Sequence, residues 1–186
     1  MAGVDGLLRA YERFARLPWD PGLAGPQKVW FALYNPLAER RLRCRLSAFA
    51  LATTGAGHGW RELDLAKLFP RWMGGHQYRD RYFRRPDALK TALDAFAIYV
   101  TNTVRSELQA PGVNQDTVIA ISGLASLFGL MRFSGILKEL ESQIQGRLLV
   151  FFPGQRDGPN YRLLDARDGW NYHAIPITGE EGIFSC

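Results

Sequence analysis

The chain reads as a single α/β domain, a three-layer and mostly parallel sheet flanked by helices, of degenerate nucleotide-binding-like topology, with an antiparallel hairpin added near the C-terminus. Three observations predict it. Thr117–Ile121 (TVIAI) and Leu148–Phe152 (LLVFF) are apolar runs, rich in β-branched and aromatic residues, with no polar alternation; such strands are covered on both faces. Between them Ile136, Leu137, Leu140 and Ile144 recur at helical spacing, so residues 116–154 form a strand-helix-strand unit, right-handed on general grounds. After Gly154 the texture changes to short alternating runs between turn formers, the pattern of antiparallel pairing.

Taken in order, Leu7, Leu8, Tyr11, Phe14 and Ala15 make a helical stripe that stops before Pro18, and Pro18–Pro26 is a turn-rich connector. Lys28–Tyr34 is the first strand, broken by Asn35-Pro36. A helix is expected from Leu37 to Thr54, with Leu42, Leu46 and Phe49 on one face and Gly55 as its C-cap. Trp60–Leu65 alternates and carries Arg61, Glu62 and Asp64, as an edge strand does. A helical turn at Leu65–Phe69 precedes an irregular stretch, Pro70–Pro86. Asp87 is placed to cap the longest helix, whose stripe is Leu89, Leu93, Phe96, Val100, Val104 and Leu108 and whose stop is Pro111-Gly112. The second buried strand stops at Pro153-Gly154; then come a turn at Gln155–Asn160, a strand at Tyr161–Leu164, a turn at Asp165–Gly169, a strand at Trp170–Ile177 and a frayed tail. The domain thus divides into an N-terminal helix and linker (1–27), a core (28–154) and a hairpin with tail (155–186).

Composition narrows the function classes. With 186 residues, one domain with a proper core is expected, and 47% hydrophobic with 22% charged residues is the balance of a soluble globular protein. No stretch approaches the roughly 18 apolar residues of a membrane span. The first residues lack a basic stretch followed by an apolar core, so a cytoplasmic location is expected. Two cysteines, Cys44 inside a predicted helix and Cys186 at the end, make no disulfide framework. The net charge of +5 is carried almost wholly by arginine, since only Lys28, Lys67, Lys90 and Lys138 of the 23 basic residues are lysines. Arginine favours phosphate or carboxylate contacts, and a GC-rich genome gives the same bias.

In a parallel α/β sheet, ligands sit beyond the carboxyl ends of the strands, which places Asn35, Ser122, Gly123, Pro153 and Gly154 in a strand-end crevice. Gly123–Gly129 has glycines but no lysine before a Ser or Thr, and no acidic residue closes either buried strand to hold magnesium. Gly55–Gly59 follows a helix, the wrong side for a dinucleotide fingerprint, and reads as a linker. His58, His76 and His173 lack metal-ligand spacing, so no metal and no cofactor are expected. Ser122 lacks the glycine two residues before it that a nucleophile elbow has and reads as a strand-end hydrogen-bond donor. Asp157, Asp165 and Asp168 read as turn formers. No catalytic residue emerges. A cryptic hydrolase or nucleotide binder at Ser122-Gly123 is the outlying reading.

The richest surface candidate is Arg71–Arg85, where Arg71, Arg79, Arg81, Arg84 and Arg85 are interleaved with Trp72, Tyr78, Tyr82 and Phe83. The mixture suits a protein interface. It also suits phosphate contacts with base stacking. A loop with core aromatics and solvated arginines has the same composition.

Two groups of residues carry a family resemblance. One is the apolar strand ending Ser-Gly-Leu (122–124), the Gly-Leu-Met-Arg turn (129–132), Leu-Lys-Glu-Leu (137–140), Leu148–Gly154 and Tyr161–Leu164. The other is Tyr34-Asn35-Pro36 followed by Glu39. This arrangement, from about Lys28 to Leu164, resembles the BrxB family of BREX bacteriophage-exclusion systems. The resemblance implies a non-catalytic adaptor encoded beside a PglZ-like protein of the alkaline-phosphatase superfamily, a BrxC-like ATPase and a PglX-like DNA methyltransferase, with the PglZ-like protein as the expected partner. A nucleic-acid-binding accessory protein using the Arg/aromatic segment is the alternative.

Overall fold

The computed structural model describes residues 3–164 and 169–179. The turn expected at Asp165–Gly169, Gly169 apart, and the tail beyond Gly179 with Cys186 lie outside the described residues, as do Asp165 and Asp168.

Helix α1 (Val4–Arg16) leads to strand β1 (Val29–Tyr34), helices α2 (Glu39–Arg43) and α3 (Leu46–Gly55), and strand β2 (Gly59–Asp64). Helices α4 (Leu68–Gly74), α5 (Arg79–Arg84) and α6 (Leu93–Leu108) precede β3 (Thr117–Ser122), and α7 (Phe133–Leu140) joins it to β4 (Arg147–Asp157). Strands β5 (Asn160–Leu163) and β6 (Ile175–Ile177) follow. The sheet order is β2-β3-β4-β1-β6, every pair in it parallel, and β5 pairs antiparallel with β4. This is the expected α/β class.

The pleat explains the three layers. On β3, Val118 and Ala120 point into one core while Ile119 and Ile121 point into the other; β4 divides the same way, Leu149 and Phe151 against Leu148, Val150 and Phe152. The first core is closed by α1 and α3, the second by α4, α6 and α7. That is why neither strand alternates in sequence.

Several elements differ from the sequence expectation. The helix expected over 37–54 is split, with a 3-10 turn at Pro36–Ala38 and a break at Cys44 and Arg45 between α2 and α3. Gly55 is the last helical residue and Ala56 the C-cap, the left-handed position falling at Gly57. Pro70 does not end a helix: it lies in the first turn of α4, where its missing amide hydrogen has no intrahelical partner to lose. The stretch read as irregular therefore holds α4 and α5. Asp87 caps nothing in α6; it lies in a 3-10 turn, Pro86–Ala92, and the α6 N-cap is Ala92.

Strand β4 also runs on past Pro153-Gly154 to Asp157, and this extension with β5 forms the hairpin. Gly154 permits it, because a methyl there would run into the Arg162 carbonyl of β5. The last strand is not the hairpin's second arm. After a bridge at Trp170 to Tyr161, the chain reaches the β1 side of the sheet, where Ile175–Ile177 pairs with β1. Pro176 suits a sheet edge, since its nitrogen has no hydrogen to offer a further strand. The intervening aromatics are core: Trp170 and Tyr172 are buried, and the Tyr161 hydroxyl donates to the Ala174 carbonyl at 2.6 Å.

Candidate functional site

The strand ends gather the crevice residues at one edge of the sheet. Asp64 aligns with Ser122, and Tyr34 with Pro153, so β2 and β3 end side by side and β1 ends beside Pro153, where β4 runs on. Most of the groups there are already engaged. Asn35 Oδ1 accepts from the Leu37 amide at 3.0 Å, Pro153 and Gly154 are buried, and β5 lies against Gly154. Gly123 is left-handed (φ 73°), and a methyl on it would stand 2.5 Å from Asp64 Oδ1 and 2.8 Å from the Ala66 amide nitrogen. Ser122 is 1% exposed and its Oγ has no hydrogen-bond partner among the described residues, where a strand-end donor was expected.

A polar relay crosses this edge. The buried Tyr34 hydroxyl donates to Glu39, the other Glu39 oxygen receives Arg43 Nε at 2.8 Å, and the Arg43 terminal nitrogens reach both Asp64 oxygens at 3.1 and 3.3 Å. Asp64 also accepts from the Ala66 amide at 3.0 Å. Burial alone would raise the Asp64 carboxyl, but Arg43, the Ala66 amide and Lys67 outweigh it and hold it below the ordinary carboxylate value. Burial, then the contact with Glu39, pushes the Tyr34 phenol far above its usual value. The Tyr-Asn-Pro-x-x-Glu motif is thus a structural clasp from β1 through α2 to β2. Its signal in the sequence was the i, i+4 pair Glu39 and Arg43.

At the opposite end of the strands, Arg147 opens β4 and is 3% exposed without an ion pair among the described residues. Its guanidinium lies 4.8 Å from the Trp19 ring and 5.7 Å from the Trp30 ring and donates to the Gly146 and Asp20 carbonyls. Trp19 in turn stacks on His58 at 3.6 Å, and His58 Nε2 donates to the Ala15 carbonyl. Here the connector is pinned to the sheet.

The Arg71–Arg85 segment projects from the second core. Trp72 is not a surface ring: it is half-buried, 5.3 Å from Phe96, with Phe69 5.2 Å from the same ring. His76 lies 4.9 Å from Trp72 and 5.1 Å from Tyr82 and so ties α5 to α4. Arg79 donates to the Gly74 carbonyl and pairs with Asp80, both at 3.3 Å. Arg71, Arg81, Arg84 and Arg85 are exposed and have no ion pair among the described residues. Tyr78 and Phe83 stand out at 51% and 69% exposure. Between α4 and α5 opens an apolar hollow of about 310 Å³, lined by Phe69, Pro70, Met73, Gly74, Arg79 and Phe83.

The sequence reading missed Phe69, Pro70 and Met73 as surface-forming residues. Leu65, Leu68, Phe69 and Trp72 do follow helical spacing, but the proline interrupted the pattern for a reader of sequence and not for the helix. Among the described residues, no group of three His, Cys, Asp or Glu side chains is arranged to hold a metal ion, and no helix is long and apolar enough to cross a membrane.

A family model described as BREX protein BrxB matches residues 78–177, more than half of the chain, from the residue before α5 through β6. No curated protein and no solved structure matches the chain.

Proposed function

Because the chain belongs to the BrxB family and is thereby a component of a BREX phage-defence system, we propose that it serves there as a non-catalytic adaptor whose α4–α5 surface binds a partner protein. The PglZ-like protein is the first partner, and the BrxC-like ATPase and PglX-like methyltransferase are further ones. One observation carries this reading: four arginines with no ion pair among the described residues, Arg71 on α4, Arg81 and Arg84 on α5 and Arg85 at its C-cap, stand beside two exposed aromatic rings and an apolar hollow. That combination is what protein hot spots use.

The test is co-purification of the tagged chain with the other proteins of its system, after nuclease treatment and across a salt series. A PglZ-like protein retained by the wild type and lost from Arg81→Ala/Arg84→Ala/Arg85→Ala supports the adaptor. The same exposed arginines favour a second reading, a nucleic-acid-binding accessory. Recovery of nucleic acid alone, released steeply by salt, would put that reading first.

A further inference from the structure

We infer that the α4–α5 hollow receives one apolar side chain (Leu, Phe or Met) presented by an acidic segment of a partner protein. The inference rests on the adaptor reading and names the chemistry its surface takes. Shape gives the apolar half. Phe69, Pro70, Met73 and Phe83 line the hollow, α5 buries no residue of its own, and Phe83 remains 69% exposed beside the opening. Among the described residues, the domain's own packing leaves this face unfilled, as a helix-in-groove site is before its ligand arrives.

Charge gives the acidic half. Residues 71–85 hold five arginines against one carboxylate, Asp80, and so carry four of the chain's five net positive charges. With Arg71, Arg81, Arg84 and Arg85 lacking an ion pair among the described residues, the segment repels itself and draws a negatively charged surface. A second copy of this chain brings the same positive face and is repelled. Nucleic acid would satisfy the arginines, but a base placed in the hollow would leave its polar edges unpaired among Phe69, Pro70 and Met73. An acidic protein segment bearing a Leu, Phe or Met meets both demands.

The test uses the intact chain with each other protein of its BREX system in purified form. Binding is measured for wild type, Phe83→Asp, Arg84→Glu/Arg85→Glu and Arg84→Lys/Arg85→Lys, and a photoreactive benzoylphenylalanine at position 83 is cross-linked to the bound protein and mapped by mass spectrometry. Position 83 is open to water, so thermal melting should be unchanged in Phe83→Asp. The expected result is binding weakened about tenfold or more by Phe83→Asp and by the charge reversal, with the lysine pair close to wild type. The reversal should cost more at about 50 mM than at about 500 mM salt. The cross-linked peptide should be an acidic stretch containing Leu, Phe or Met. Undiminished binding to Phe83→Asp, or a cross-link to a basic segment or to nucleic acid, overturns the inference while leaving an adaptor that uses another surface. A wild-type chain that binds none of these proteins removes the adaptor reading and this inference with it.

Discussion

Arg43 reaches from α2 to Asp64 at the end of β2 and meets both carboxylate oxygens, at 3.1 and 3.3 Å. Asp64 is 12% exposed and Arg43 37%, so the pair is partly screened. Arg43→Ala should cost about 1 kcal/mol of folding stability, the upper end for a pair open to water on one side. Urea unfolding at neutral pH would read it.

The same contact sets an acid dependence. The Asp64 carboxyl is held below its ordinary value, so its contribution is full above the unfolded carboxylate pKa, about 3.9, and is lost as pH falls through the lower folded value. The stability gap between wild type and Asp64→Asn should be flat from neutral pH to about 5 and narrow below about 4. A gap that widens on acidification would contradict this assignment.

Tyr34 gives the mirror-image case. Its phenol pKa is raised by burial and by Glu39, so its stabilisation is present below the unfolded value of about 10 and disappears only as pH rises through the higher folded value. Tyr34→Phe should lose about 1 kcal/mol at neutral pH, one hydrogen bond to a carboxylate, with no change in that loss between about pH 6 and 9. Thermal melts across that range check it.

Gly123 is fixed by two conditions, a left-handed backbone and a neighbour 2.5 Å from where a methyl would stand. Gly123→Ala should destabilise the domain by about 3 kcal/mol, more than a left-handed alanine costs by itself. Gly129 is also left-handed but has open space around it. Gly129→Ala should therefore cost only about 1–2 kcal/mol, and the difference between the two denaturation midpoints measures the crowding.

Within the arginine-rich segment, structure and surface separate cleanly. Trp72→Ala removes a ring packed on Phe96 and should cost about 3 kcal/mol, whereas Tyr78→Ala and Arg81→Ala should stay within about 0.5 kcal/mol of wild type. Calorimetry on the three variants decides it. A stable Tyr78→Ala variant is what makes this face usable for binding measurements.

Local chemistry was enough to reveal the framework. Thr117–Ile121 and Leu148–Phe152 announce strands covered on both faces because every residue of each run is apolar or β-branched, and Phe96, Val100, Val104 and Leu108 announce the α6 face by spacing alone. Where two physical effects compete at one residue, the sequence was ambiguous and tertiary structure chose. Pro70 stops a helix interior but suits a first turn, and only the packing of Phe69 and Trp72 on Phe96 places it there. Pro153-Gly154 looks like a terminus, yet β5 needs that glycine to approach and so carries the strand onward.

The closing step of the relay, from Arg43 to Asp64, and the hollow between α4 and α5 were beyond any local reading. Asp64 lies 21 residues after Arg43, and the two meet only because β2 ends beside β3 on the same sheet edge. Periodicity, burial preference and charge are properties of a residue and its near neighbours, and they set the strands, the long helix and the basic character of residues 71–85. Which side chains end up unpaired at the surface, and which close on a partner far along the chain, depends on strand order, and strand order is decided by the packing of the whole core.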